Sequence, residues 1–122
     1  MTNVMITGSN YNVLQGTMPD NGTLTHEIDL AEYTLTGLIC QTPGWLAGTL
    51  TFQVSDIPDA EGGVFTDLYR DNAVVAEAVP AGRFAVASDV LVRALAGYRY
   101  VKVKSSVSQT GGPITFKMPV KA

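Results

Sequence analysis

The chain has 122 residues, 46% of them hydrophobic and 16% charged, which fits one domain with its own core and excludes an intrinsically disordered chain. No apolar run approaches the roughly 18 residues that span a bilayer, and the first twenty residues hold neither Lys nor Arg, so no secretory signal with a basic start is expected. A single cysteine, Cys40, excludes an internal disulfide and a zinc site, and a single histidine, His26, excludes any catalytic plan that needs two.

Residues 1–22 stand apart as an extended N-terminal arm. They carry no charge before Asp20, hold three of the four methionines and are rich in Asn, Thr and Gly. Neither a helical nor a strand period persists in them. An uncharged apolar segment of this kind calls for cover, from this domain or from a neighbouring chain, over Val4, Met5, Ile6, Tyr11, Val13 and Leu14.

Asn21-Gly22 is a turn dipeptide, and alternation begins after it. Leu24, His26, Ile28 and Leu30 are expected to point inward, with Thr23, Thr25, Glu27 and Asp29 outward. Tyr33 to Cys40 reads as a second strand, closed by the Pro43-Gly44 turn. Gly48 to Ser55 is the clearest, with Leu50, Phe52 and Val54 inward. Strands are then expected over Val64 to Arg70, Ala73 to Val79 and Arg83 to Ala87. Ser88 to Gly97 breaks the pattern: Ser88 or Asp89 caps a short helix carrying Val90, Leu91, Ala94 and Leu95, ended by Gly97. Tyr98 to Ser106 alternates again, with Tyr100, Lys102 and Lys104 on one face. After Gly111-Gly112-Pro113 comes a last strand with Ile114, Phe116, Met118 and Val120 inward and Lys117 outward. About eight short strands, with turns about every 8–12 residues, and one helix define an all-β antiparallel sandwich of jelly-roll type. The expected division is an arm over 1–22 and the sandwich over 23–122.

Charge is segregated along the chain. Residues 1–92 hold all 11 acids against Arg70 and Arg83, a balance of −9, while residues 93–122 hold Arg93, Arg99, Lys102, Lys104, Lys117 and Lys121 and no acid, a balance of +6. Either the fold interleaves the halves and mixes the signs, or the molecule has one acidic and one basic face suited to docking on copies of itself or on an acidic partner. With a pI near 4.9, and no basic cluster larger than one strand presents, no nucleic-acid partner is expected. Exposed Lys102 and Lys104 are expected to tolerate reversal to Glu in folding but not in assembly.

No catalytic constellation emerges. His26 reads as a hydrogen-bonded structural residue, and no Gly-x-Ser-x-Gly elbow or phosphate loop occurs. Cys40 reads as a small buried hydrophobe. The loop Asp56-Ile57-Pro58-Asp59-Ala60-Glu61-Gly62-Gly63 fails the EF-hand spacing and reads as a solvated turn, with a calcium loop as the alternative. Asn21-Gly22-Thr23 matches a glycosylation sequon but serves as a turn. Trp45, Tyr69, Tyr98 and Tyr100 could stack on sugar rings, but Trp45 after Pro43-Gly44 is expected to plug the sandwich end. No cofactor, metal or membrane partner is called for.

The succession YTLTGLI, GTLTFQVS, FTDLYRDN, VPAGRFAVASDVLVRALAGYRYVKVKSS and ITFKMPV resembles small β-sandwich virion proteins of tailed bacteriophages over residues 24–121. The resemblance implies a jelly-roll module on the outside of a particle, as capsid decoration (cement) proteins are. Such proteins are homo-oligomers, often trimers, bound to the major capsid protein. No family site residue is carried over, because the pattern is one of strands. The residues expected to bind partners are Val4, Met5, Ile6, Tyr11, Leu14, Tyr100, Lys102, Lys104 and Lys117. A glycan-binding module on a virion appendage, or a tail or collar component, are the alternatives. Trp45 and a tyrosine exposed in one concave groove favour the glycan.

Overall fold

The computed structural model describes residues 11–31, 33–87, 93–95 and 97–121. Among them the strands are, in chain order, β1 (Tyr11–Met18), β2 (Gly22–Leu24), β3 (Ile28–Asp29), β4 (Thr34–Leu35), β5 (Leu38–Cys40), β6 (Gly48–Ser55), β7 (Thr66–Asp67), β8 (Tyr69–Arg70), β9 (Ala73–Val74), β10 (Ala76–Val79), β11 (Phe84–Val86), β12 (Tyr100–Gln109) and β13 (Ile114–Lys121). Residues 93–95 are helical. The proposed cap at Ser88 or Asp89, with Val90 and Leu91, lies outside the described residues, as do Val4, Met5 and Ile6.

Pairing order reveals the topology. With β2–β3 and β4–β5 each counted as one interrupted strand, the first strand pairs with the eighth (β1 with β13), the second with the seventh (β2 and β3 with β12), the third with the sixth (β5 with β11) and the fourth with the fifth (β6 with β10). The eighth also joins the third, and the seventh joins the fourth. This nesting is one long antiparallel hairpin rolled into two sheets, the jelly roll expected from the sequence. Strands β7, β8 and β9 elaborate the connection between β6 and β10.

The long strands alternate because one face of each is buried. Leu50, Phe52 and Val54 of β6 and Val101 and Val103 of β12 meet Phe116, Met118 and Val120 of β13 and Leu38 and Cys40 of β5 in one continuous core. Each such side chain contributes about 1.5–3 kcal/mol of transfer free energy on burial. Polar residues that face inward are bonded. Thr25 Oγ1 accepts from the Val103 N–H at 3.0 Å, and Gln109 accepts from the Leu46 N–H at 2.8 Å and donates to the Leu46 carbonyl at 3.2 Å. That last pair lies where the β12–β2 register shifts, past the Ser106 end expected from sequence.

The boundary between an arm and a sandwich is corrected. Residues 11–18 are the first strand of the roll, paired with β13 from Tyr11↔Lys121 to Met18↔Ile114. Met18 is fully buried and Leu14 packs on the core. Between them on the inward face stands Gly16, where a Cβ would approach Ile28 Cγ1 to 2.8 Å. Ile28 fills the space that a side chain on the strand would have used, so the apolar alternation is interrupted in sequence but not in space.

His26 is corrected too: it is exposed and Thr25 is inward, because residues 25–27 leave the ladder between β2 and β3 and reset its phase. The ring caps the free edge of β1. Thr17 N–H donates to His26 Nε2 at 3.0 Å, and the His26 N–H donates to the Thr17 carbonyl at 3.2 Å. Since Nε2 accepts, the proton sits on Nδ1, which donates to the Glu27 carbonyl at 2.8 Å. Val13 N–H on the same edge is taken by Asn12 Oδ1 at 2.8 Å. Edge groups bonded in this way do not template a further strand. The structural, hydrogen-bonded reading of His26 holds although its direction does not.

Candidate functional site

Strands β8 and β9 form a hairpin outside both main sheets, with Tyr69 opposite Val74 and Arg70 opposite Ala73. Its two linking residues, Asp71 and Asn72, both have positive φ, 52° and 68°. Type I′ turns require this, and Asp and Asn tolerate it better than other non-glycine residues. Both strands of the hairpin are exposed.

The hairpin and the segment at 97–98 enclose two adjoining concavities that share Leu68, Tyr69 and Tyr98. One, of about 310 Å³, has Arg70 and Arg93 in its wall. The other, of about 530 Å³, has Asp56 and Asp67 in its wall, with Ser55 and Thr66. Tyr69 is 63% exposed, Tyr98 41% and the neighbouring Val64 77%. Asp67 accepts from Gln53 Nε2 at 3.3 Å, and Arg70 lies 3.9 Å from Asp71. Two exposed tyrosines therefore stand between a basic and an acidic hollow. Tyr and Arg are the side chains enriched where proteins bind one another.

This site lies at the end of the sandwich where both ends of the described chain emerge. Tyr11 faces Lys121, Lys121 faces Thr34, Tyr33 N–H donates to the Leu30 carbonyl, and Leu30 N–H donates to the Arg99 carbonyl beside Tyr98.

The sequence-derived binding residues are not brought together. Lys102 and Lys104 lie on the outer face of the sheet holding β12, and Lys117 lies on the outer face of the sheet holding β13, so they face opposite ways. Tyr100 is buried, with the Arg99 guanidinium carbon 5.1 Å from its ring centre. Tyr11 begins β1 at the sandwich end, and Leu14 is half-buried against the core.

Lys102 is not free. Its Nζ lies 2.9 Å from Asp59 and 4.3 Å from the Phe65 ring centre, and its side chain is 16% exposed. The Asp59 N–H in turn donates to Glu27 Oε2 at 2.7 Å. The acidic loop is thereby strapped across the sheet through Asp59, whose carboxylate serves Lys102; among the described residues no group of three acids, histidines or cysteines is placed to hold a metal. Reversal of Lys102 to Glu sets two carboxylates together in a half-covered site. Lys102→Glu is expected to cost about 1–3 kcal/mol, against less than about 0.5 kcal/mol for Lys104→Glu. Urea denaturation of the two single variants checks this; coincident midpoints would show that the strap does not depend on Lys102.

The same strap answers the charge question for the pairs it involves. Arg99 binds both carboxylate oxygens of Asp29, at 3.0 and 3.2 Å, and Lys102 binds Asp59, so cations of the last thirty residues neutralise acids of the first sixty. The guanidinium of Arg99, joined by the Ala31 N–H, holds the Asp29 carboxyl below its usual pKa. Cys40 is buried, and desolvation raises its thiol pKa, as fits an inert core residue.

Trp45 is 1% exposed and packs on Phe84 and Phe116 at ring-centre distances of 5.6 and 5.5 Å. It is the plug and is closed to sugar. The groove beside the hairpin holds Tyr69 and Tyr98 without it.

Neither a protein-family model nor a curated protein sequence matches the chain. The fold is similar to the crystal structure of the SPBc2 prophage-derived protein YomS, with 20% identity over 98% of this chain and 100% of that one, at a TM-score of 0.47.

Sequence reading passed over Asp56, Asp67, Arg70 and Arg93 as partners of the tyrosines. The usable signal was Tyr69-Arg70-Asp71-Asn72-Ala73-Val74, a two-residue turn flanked by exposed large side chains. Nothing in the spacing relates Asp56 or Arg93 to it, because the roll brings three separate segments together.

Proposed function

We propose that the protein is a non-enzymatic structural component of a bacteriophage particle, decorating the outer surface of the capsid and binding the major capsid protein together with copies of itself. Its strand succession over residues 24–121 resembles such proteins, and its polar core groups serve the fold. The observation that carries the reading is positional. The ten residues before Tyr11 contain no charged side chain, and Tyr11 begins β1 at the end of the sandwich that bears the exposed tyrosines and Arg70. An uncharged sequence with Val4, Met5 and Ile6 ahead of Tyr11, together with a face that carries exposed tyrosines and Arg70, suits attachment to a protein lattice.

The test removes residues 2–10, which lie ahead of the first strand, and measures occupancy on purified phage heads beside the intact protein. Occupancy is expected to fall at least tenfold while the circular dichroism spectrum stays unchanged. Full occupancy by the shortened protein would overturn attachment through this end.

A further inference from the structure

We infer that the face bearing Tyr69 and Tyr98 binds a second copy of this chain about a two-fold axis, the Arg70–Arg93 side of each copy lying against the Asp56–Asp67 side of the other. This deepens the reading of the chain as an assembly module and rests on it.

The argument begins from the arrangement of charge. The Arg70 and Arg93 guanidinium groups, with the Asp71 carboxylate 3.9 Å from Arg70, line one hollow, Asp56 and Asp67 line the other, and the two hollows adjoin at Leu68, Tyr69 and Tyr98. A face with one positive and one negative half is complementary to itself after a half-turn. A two-fold axis through the tyrosines places each basic half against an acidic half, twice. A ring of three instead needs its two complementary patches on separate faces. The middle of the contact is aromatic, with exposed Tyr69 and Tyr98 from each copy, and the charges lie around it. That is the order of an interface core and its rim. Neither tyrosine packs on another aromatic ring among the described residues, so both are available to a partner.

Sedimentation equilibrium of the full chain is expected to give twice the 13.0 kDa chain mass, falling toward the single mass as salt rises. Two charge-uniform variants decide the matter. Arg70→Glu with Arg93→Glu makes both halves acidic, and Asp56→Arg with Asp67→Arg makes both halves basic. Each alone is expected to sediment as a monomer, and an equimolar mixture is expected to recover the doubled mass, which also shows that both variants are folded. A monomeric wild type, a threefold mass, variants that still pair alone, or a mixture that stays monomeric would each overturn the two-fold contact. So would a monomeric protein whose Tyr69 and Tyr98 resonances shift with a panel of oligosaccharides, which would assign the groove to a glycan. Mass in solution is independent of head occupancy, so failure of this pairing and failure of capsid attachment are read separately.

Discussion

Trp45→Ala is expected to lower the free energy of unfolding by about 3–5 kcal/mol, a large share of the roughly 5–15 kcal/mol that holds a domain of this size together. The indole fills the end of the roll between Phe84 and Phe116, which are themselves 6.4 Å apart, and all of its contacts would be lost to a cavity. Its Nε1 is buried without a hydrogen-bond partner among the described residues. Leaving such a donor unsatisfied costs about 1–3 kcal/mol. Trp45→Phe removes that donor while keeping an aromatic ring in the cluster, and so it should lose far less than alanine. Urea denaturation followed by far-ultraviolet circular dichroism measures both. A midpoint for Trp45→Ala at the wild-type value would mean that the end of the sandwich is not closed by this side chain.

Removal of residues 2–18 should abolish the native fold, whereas removal of 2–10 should leave it intact. The longer deletion takes away all of β1, with its eight-residue register against β13, and opens a new edge along Phe116, Met118 and Val120. Fully buried Met18 is lost with it, and loss of one such side chain alone costs about 2–5 kcal/mol. The expected outcome is insoluble protein, since a long apolar edge strand pairs with copies of itself. Solubility and near-ultraviolet dichroism of the two truncations compare them directly. A folded, soluble 2–18 deletion would show that the roll closes without its first strand.

The contrast between these strands explains what the sequence could reveal. Strands β6 and β13 were legible because their inward positions carry apolar side chains at an unbroken period of two, and β12 was legible as far as Val103, beyond which buried Ser105 and Gln109 interrupt the apolar run. The jelly-roll class followed from the number and spacing of such runs. Strand β1 was hidden at one position, Gly16, whose share of the core is supplied by Ile28 from β3. His26 was misdirected for a related reason: three residues outside the ladder restore the inward direction one place out of phase, and Thr25 goes inward because main-chain groups of β12 satisfy it. The Lys102–Asp59 strap and the tyrosine groove join segments that lie far from one another in the chain. Local periodicity holds no information about such meetings, and they depend on how the hairpin rolls.

Because Tyr11 and Lys121 are the first opposed pair of the β1–β13 ladder, the two ends of the described chain lie side by side. A pull applied between them loads the ladder from its end, so its hydrogen bonds break in succession instead of sharing the load. The domain should therefore unzip at low force when stretched by its own termini. Pulled instead between the leader and the far turn at Gly111-Gly112, the same ladder would be sheared along its length, with all of its bonds resisting together. Tension between the Tyr11 end and the far turn therefore meets the jelly roll where it is strong.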